Sequence, residues 1–181
     1  MITEDLAIWV GLGFAGLLIL LIVVPTLWTG APPTPSGRAV RACVADALRD
    51  LDLPEGGIVD LGSGWGGMAR KLARTFPDRK VTGIEASFLP WLVSAAVQRL
   101  VGPGNLRFRY GDFRKGTLDD AAVTVCYLGP SLSGDVVTML RKAGTPGCLA
   151  VSCFFALPGL VQADQRTARD LYRTPVYIYR V

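Results

Sequence analysis

The chain has no histidine among its 181 residues. This absence excludes a Ser-His-Asp type of nucleophilic triad and removes the imidazole ligands on which most zinc sites depend. The four cysteines (Cys43, Cys126, Cys148 and Cys153) include no C-x-x-C pair, and three of them lie in apolar stretches. We therefore predict that they are reduced core residues of a cytosolic domain, and that any chemistry uses other residue types.

Dense runs of positive charge are also missing. The 19 lysine and arginine residues all follow Trp28, where they face 13 acids, so this part of the chain has a net charge of about +6. The charges are scattered and no basic run has interleaved aromatic residues, so nucleic acid is not indicated as a partner. Such mild basicity suits an anionic membrane surface or an acidic partner, and equally an ordinary solvated surface.

Charge is entirely absent from the 19 residues at positions 6–24, LAIWVGLGFAGLLILLIVV. At 1.5 Å per helical residue this stretch can span a hydrocarbon core of roughly 30 Å. Trp9 and Trp28 lie near its ends, where indole rings favour the membrane interface. A cleaved signal peptide is the alternative, but two acids and no basic residue precede the apolar run. We predict a transmembrane anchor at residues 1–28, embedded through residues 6–28.

Arginines at positions 38, 41 and 49 follow the anchor closely. The positive-inside rule then places the N-terminus outside and the rest of the chain in the cytoplasm. The N-terminus lacks the arginine-rich and serine-rich pattern of an organelle presequence, which favours a prokaryotic inner membrane over the mitochondrial one.

Three prolines in residues 29–37, TGAPPTPSG, predict a short extended linker. The rest, residues 38–181, is predicted to be one domain in which helices and strands alternate. The predicted helices are 38–51, 66–76, 90–100 and 135–143, and the predicted strands are 58–61, 80–84, 106–110, 122–128 and 148–155. This alternation predicts an α/β Rossmann-like fold, a mainly parallel sheet with helices on both faces. Residues 160–168 and 173–181 predict a closing hairpin with an antiparallel strand at one edge.

Residues 57–67, GIVDLGSGWGG, indicate a buried strand that runs into a glycine-rich turn. Such a turn brings backbone amides close to a ligand, either a dinucleotide or S-adenosylmethionine. Asp60 separates the two, because its carboxylate would repel a pyrophosphate and attract the ammonium of a methionine group. The sequence therefore favours S-adenosylmethionine. The predicted cofactor-binding residues of the turn are Gly62, Ser63, Gly64 and Gly66.

Two further acids end the following strands. Glu85 lies 19 residues after Gly66, where a carboxylate can accept hydrogen bonds from both ribose hydroxyls. Asp112 follows the third strand, placed to accept from the adenine amine, with Phe113 beside it as a candidate to pack on the ring. Either acid alone is equally compatible with an ordinary polar strand end. Together with the glycine turn, they favour an S-adenosylmethionine site.

The motifs VDLGSGWGG, GIEASFLPWLVSA, YGDF and CYLGP resemble, in this order, those of class I S-adenosylmethionine-dependent methyltransferases. More narrowly, the apolar N-terminal helix, PPTPSG, SCFFALPG and the closing VYIYR resemble the membrane-anchored protein lysine methyltransferases that modify the c-subunit of ATP synthase and the adenine nucleotide translocase. The resemblance implies that residues 33–36, including Pro35, help to close the cofactor site. It departs at Trp65, Gly66 and Gly67, where relatives usually carry Asp-Gly-Arg.

Methyl transfer is an in-line displacement, to which a protein contributes mainly alignment and the exclusion of water. A lysine amine with a pKa near 10.4 is rarely neutral at pH 7, but a desolvated pocket lowers that pKa. We predict that the segment after the fourth strand lines the methyl-transfer side. Tyr127 is a catalytic candidate through its hydroxyl or a cation–π contact, and alternatively a core aromatic residue. The Leu128 carbonyl and Ser131 are the candidate acceptors.

The resulting hypothesis is an S-adenosylmethionine-dependent methyltransferase that N-methylates a lysine of a membrane protein. The absence of the Asn/Asp-Pro-Pro-Tyr signature argues against nucleobase and glutamine targets. One alternative is methylation of a lipid-soluble small molecule or a lipid headgroup. The other is a non-catalytic membrane protein that binds S-adenosylmethionine.

Overall fold

The computed structural model describes residues 2–29, 36–118, 120–143 and 147–181. Its helices are α1 Ile2–Thr29, α2 Arg38–Arg49, α3 Gly67–Thr75, α4 Phe88–Val101 and α5 Ser133–Ala143. Its strands are β1 Gly57–Leu61, β2 Val81–Glu85, β3 Leu106–Tyr110, β4 Ala121–Cys126, β5 Leu149–Cys153, β6 Gln162–Thr167 and β7 Pro175–Arg180. The predicted alternation of helices and strands after residue 37 is therefore confirmed.

The described strands form one sheet in the order β3-β2-β1-β4-β5-β7-β6. Strands β1 to β5 pair in parallel, whereas β7 pairs antiparallel with both β5 and β6. The predicted antiparallel hairpin thus closes one side of the sheet, with β6 outermost. Strand order reverses between β1 and β4, and the carboxyl ends of these two strands mark the point where open α/β sheets bind ligands.

Each face of the sheet has its own hydrophobic core. Helices α2 and α3 cover one face with side chains such as Val44, Leu48 and Leu72, all completely buried. Helix α5 covers the other face with side chains such as Val136 and Leu140. Because β4 is covered on both faces, all six of its residues are buried, which explains its largely apolar sequence, interrupted only by Thr124.

The cysteines behave largely as the sequence predicts. All four are free thiols; Cys126, Cys148 and Cys153 are buried and Cys43 is half-buried. Burial raises the pKa of the Cys126 thiol to about 12. A thiol in this environment stays protonated and acts as a small apolar core residue.

Helix α1 accounts for the apolar N-terminal stretch. Its large apolar side chains that the structure describes are 43% to 71% exposed. Counted over the described residues, no helix reaches the length and apolarity needed to cross a membrane. The predicted transmembrane anchor is therefore not supported by the structure. Most of the predicted linker, residues 30–35, lies outside the described residues.

Candidate functional site

A cavity of about 640 Å³ opens at the carboxyl ends of β1, β2 and β4. This volume is in the range of sites for small molecules and cofactors. Most of the site residues predicted from the sequence line it: Asp60, Gly62, Ser63, Gly64, Glu85, Asp112, Phe113, Tyr127 and Leu128. Topology explains this convergence, because each of these residues ends a neighbouring parallel strand or begins the loop after it.

The glycine turn after β1 is left-handed at three positions. The φ angles are +65° at Gly62, +52° at Gly64 and +75° at Gly66. A Cβ at Gly62 would overlap the Leu128 side chain, and one at Gly66 would overlap the Phe108 ring. Gly66 itself shapes the turn from outside the cavity wall. Glycine is thus required here both for its backbone conformation and for the close packing around it.

Gly64 and Gly66 offer a matched pair of substitutions. At Gly64 an added Cβ would meet no atom within 4 Å, so Gly64→Ala is expected to cost about 1–2 kcal/mol from backbone strain alone. At Gly66 the overlap with Phe108 adds to the same strain, so Gly66→Ala is expected to cost at least about 3 kcal/mol. Urea unfolding of both variants measures the difference. Equal losses of stability would show that the contact with Phe108 is unimportant.

Glu85 holds two loops together. It is 6% exposed, and its Oε2 accepts a hydrogen bond from the Gly64 amide at 2.7 Å. Its Oε1 accepts from the Ser87 amide at 2.8 Å, directly before the start of α4. The carboxylate thereby fixes the turn after β1 against the turn after β2. Glu85 also lines the cavity, and its role as a ribose acceptor stays a prediction.

Asp60 is a buried carboxylate at the base of the turn. It is 2% exposed, and its Oδ2 accepts a hydrogen bond from the Ala69 amide at 3.1 Å in the first turn of α3. Burial raises the pKa of this carboxyl to about 7, the Ala69 hydrogen bond opposes that rise, and the nearby Glu85 adds to it. A cation bound beside Asp60 would stabilise its ionised form.

Asp112 is already paired. Its Oδ2 lies 2.7 Å from Nη2 of Arg114, and its Oδ1 accepts from the Arg114 amide at 2.9 Å. Hydrogen bonds from Arg114 hold the pKa of Asp112 below its usual range, so the group is a fixed anion on the cavity wall. Phe113, 8% exposed, follows it and supplies an apolar surface suited to an adenine ring.

Part of the segment after β4, the predicted methyl-transfer side, lines the cavity. Tyr127 and Leu128 line the cavity and are half-buried, and burial raises the pKa of the Tyr127 phenol. The placement of Ser131 is wrong. It lies in a short 3₁₀ helix, Pro130–Leu132, that buries Leu132 and turns Ser131 outward, so Ser131 is exposed and does not line the cavity.

The remaining predicted residue, Pro35, lies outside the described residues. Trp91, an aromatic residue of α4, packs between Phe88 and Tyr110 with ring centroids 5.8 Å and 5.3 Å away. It belongs to this aromatic cluster and does not line the cavity.

Sequence reasoning missed several residues of the cavity wall, among them Arg41, Arg70 and Phe154. Arg41 comes from α2, Arg70 from α3, and Phe154 follows β5 with an unusual φ of +84°. The two arginines lie on helices whose apolar stripes predict only packing, so long-range folding alone brings them to the site. Phe154 lies in the SCFF segment, and nothing in its local sequence indicates the left-handed backbone.

The described residues fit S-adenosylmethionine. The glycine turn leaves room for a ligand next to the backbone, and the buried Ser63 Oγ has no hydrogen-bond partner in the described part of the chain. Buried acids at the ends of β1 and β2 suit an ammonium group and a pair of ribose hydroxyls. Phe113 and Leu128 supply the apolar surface that a purine needs.

Known proteins agree with this reading of the cavity. The family model of the ANTKMT methyltransferase domain matches residues 60–164. No curated protein matches the chain by sequence.

Solved structures extend the likeness to most of the chain. An RNA methyltransferase from Salinibacter ruber, in complex with S-adenosyl-L-homocysteine, is 26% identical with a TM-score of 0.70, over 82% of this chain and 94% of that one. A SAM-dependent methyltransferase from Geobacter sulfurreducens with the same ligand is 26% identical with a TM-score of 0.53, over 66% of this chain and 49% of that one. Magnesium protoporphyrin IX methyltransferase from Synechocystis, with bound SAM, shares the fold at 15% identity and a TM-score of 0.59, over 78% and 77% of the two chains.

Proposed function

Because the chain belongs to the ANTKMT methyltransferase domain family and is an S-adenosylmethionine-dependent methyltransferase, we propose that it N-methylates a lysine side chain of a protein. We choose an amine as the substrate group because of the part of the cavity wall formed by the residues that follow β4 and β5. Tyr127, Leu128 and Phe154 present aromatic and aliphatic groups there. A wall of this kind removes water from an incoming amine and favours its neutral, nucleophilic form.

In the proposed reaction, each group of residues in the site has its own role. S-adenosylmethionine supplies an activated methyl group when it is bound. Glu85 and the glycine turn fix the floor of the site through the hydrogen bond at 2.7 Å between them. Tyr127 orients the amine through its hydroxyl or its ring face, while Leu128 and Phe154 exclude water. No general base is needed once the amine enters without its proton.

We further propose that the enzyme acts at a membrane, with the catalytic domain on the cytoplasmic side and α1 in contact with the bilayer. The exposed apolar side chains of α1, among them Trp9 and Phe14, support this localisation. Confinement to a membrane would raise the effective concentration of a membrane-protein substrate. A prokaryotic inner membrane suits the sequence better than the mitochondrial one.

RNA methylation is the second candidate. The Salinibacter ruber protein is described as an RNA methyltransferase and matches 82% of this chain. The scattered basic residues are compatible with RNA but form no continuous run with aromatic residues. This second function therefore rests on that one structural likeness.

One labelling experiment separates these candidates. Full-length protein is incubated with radiolabelled S-adenosylmethionine and membranes from its own source, and the label is traced after fractionation. We expect a discrete labelled protein that yields methyl-lysine on hydrolysis, and we expect the enzyme to sediment with the membranes. Glu85→Ala should abolish the label, whereas Tyr110→Phe, a tyrosine outside the cavity wall, should keep it.

Each other result has a definite meaning. Label in RNA would favour the second candidate, and label that extracts into organic solvent would indicate a lipid or a lipid-soluble small molecule. Tight cofactor binding without transfer to any fraction would indicate a non-catalytic binding protein. An enzyme that stays in the supernatant would contradict the proposed localisation.

A further inference from the structure

Two guanidinium groups from different helices meet at the start of α3. Arg70 Nη1 lies 2.9 Å from the position that a Cβ at Gly66 would take, and a Cβ at Gly67 would overlap Arg41 Nη1. Both arginines line the cavity. Their guanidinium groups therefore lie over consecutive backbone positions at one corner of the cofactor site.

No carboxylate in the described part of the chain neutralises this positive charge. Among the described residues, neither Arg41 nor Arg70 forms an ion pair with a carboxylate. Arg70 Nη2 donates to the Trp65 carbonyl at 2.5 Å, but Arg70 Nη1 is buried without a hydrogen-bond partner. A buried guanidinium donor left unpaired is costly, which indicates that a ligand completes the site.

Arg114 provides the contrast. It also lines the cavity, but Asp112 and Asp135 lie 2.7 Å and 3.4 Å from its guanidinium nitrogens. Burial lowers the pKa of Arg70, and repulsion from Arg74 and Arg41 lowers it further. Among the described residues, the guanidinium groups of Arg41 and Arg70 thus have no carboxylate partner, whereas Arg114 is already paired.

The backbone reinforces this charge. Helix α3 begins at Gly67 and has no acidic residue in its first turn. The amide groups at a helix N-terminus favour an anion, and Gly67 and Arg70 both lie in the first turn of this helix. An arginine fork over a helix start suits a carboxylate in particular, because two parallel N–H donors match two carboxylate oxygens.

Two acidic side chains lie near the two arginines. Asp60 and Glu85 are buried beside the same glycine turn, and the Ala69 amide that donates to Asp60 belongs to α3, the helix that carries Arg70. One side of the turn is therefore anionic and the other cationic. This arrangement matches an α-amino acid, which has an ammonium and a carboxylate on one carbon.

We propose that Arg41 and Arg70 together bind the α-carboxylate of the methionine portion of S-adenosylmethionine. The two arginines are positioning residues that fix the amino-acid end of the cofactor. The proposal depends on the cofactor and not on the methylated substrate, so it stands or falls independently of lysine methylation.

The test compares two ligands that differ only in this carboxylate, S-adenosylmethionine and its decarboxylated form. Both keep the adenosine, the sulfonium and the ammonium. By titration calorimetry we expect the wild-type protein to bind the decarboxylated form roughly 10- to 100-fold more weakly, as expected for the loss of a charge-assisted contact. This measurement needs no variant, so it tests the carboxylate requirement even if a substitution prevents folding.

Variants then assign the contact to the arginines. Arg41→Met and Arg70→Met should each weaken S-adenosylmethionine roughly 10-fold or more and change the decarboxylated form by less than about 3-fold. Arg74→Met is the matched control, because Arg74 lies on the same helix, is exposed and does not line the cavity. It should leave both affinities unchanged.

The opposite results would overturn the proposal. If the wild-type protein binds both ligands equally well, no group of the protein recognises the carboxylate. If Arg41→Met and Arg70→Met weaken both ligands by the same factor, the arginines only support the fold of the site. An effect of Arg74→Met as large as that of Arg70→Met would indicate general electrostatic attraction.

Discussion

Replacing Glu85 by alanine is expected to lower the affinity for S-adenosylmethionine by at least roughly 100-fold. The substitution leaves the Gly64 and Ser87 amides without the acceptor that each now has at 2.7 Å and 2.8 Å. The loss of affinity comes from the ribose, because a buried hydroxyl donor without a partner costs about 1–3 kcal/mol and each 1.4 kcal/mol corresponds to a factor of ten in affinity. The ribose would lose its acceptor in the same step.

The same variant should also lower the stability of the ligand-free protein. The two amides belong to the turns after β1 and β2, so both turns lose the carboxylate that joins them. We expect the free energy of unfolding to fall by about 2–4 kcal/mol in urea titrations. Removing the charge of Glu85 also relieves its repulsion of Asp60, which offsets part of the loss.

Two further variants define the cause. Glu85→Gln keeps the volume and one acceptor oxygen, so its affinity should lie between those of the wild type and Glu85→Ala. Glu55→Ala is the control, because Glu55 is an exposed acid before β1, at the opposite end of the sheet. Calorimetry with S-adenosylmethionine measures all four proteins. An affinity of Glu85→Ala within about 3-fold of wild type would contradict this role of Glu85.

The sequence predicted the position of those cavity residues that have a side chain suited to a ligand and also lie at the end of a strand. Asp60, Glu85 and Asp112 each end a strand or begin the loop after it, and in a parallel sheet these ends meet at one edge. Their positions therefore followed from the order of strands alone. The glycine turn was predictable for a similar reason, because three of its residues adopt positive φ, a conformation that glycine tolerates.

Cavity residues that do not lie at the end of a strand could not be predicted from the sequence. Arg41 reaches the cavity because α2 packs on α3 across one face of the sheet, and no local pattern gives the length or direction of that contact. The prediction for Ser131 was wrong because of local structure. It follows β4 in sequence as expected, but the 3₁₀ helix that buries Leu132 turns the serine outward.

Helix α1 shows a different limit. Composition predicts a long apolar helix, and residues 2–29 do form one helix. What surrounds this helix is a property of its environment, and the apolar run alone does not determine it. Sedimentation with membranes is therefore the informative measurement for this segment.

Asp60→Asn is expected to stabilise the ligand-free protein above pH 7. The carboxyl of Asp60 has a pKa of about 7 in the folded protein, mainly through burial, against about 3.9 in an unfolded chain. Between these two values the folded protein keeps a proton that the unfolded chain has lost. The free energy of unfolding therefore falls as the pH rises through this window, and levels off above pH 7.

Asparagine keeps an oxygen that can accept from the Ala69 amide but carries no charge to bury. The variant should thus escape the decline and exceed the stability of the wild type at pH 8 by up to about 4 kcal/mol. Urea unfolding at pH 5 and pH 8 checks this expectation. A wild-type stability that is equal at both pH values, or that falls equally in Asp60→Asn, would contradict it.

Cofactor binding should respond to pH in the opposite direction. The ammonium of the cofactor favours the ionised form of Asp60, so a proton on Asp60 competes with binding. From pH 7 down to pH 5 the affinity of the wild type for S-adenosylmethionine should fall roughly 10-fold per pH unit. The chain has no histidine, so no imidazole titrates in this window. Asp60→Asn should bind more weakly at pH 7 and show a flat profile, and parallel slopes for the two proteins would assign the titration to another group.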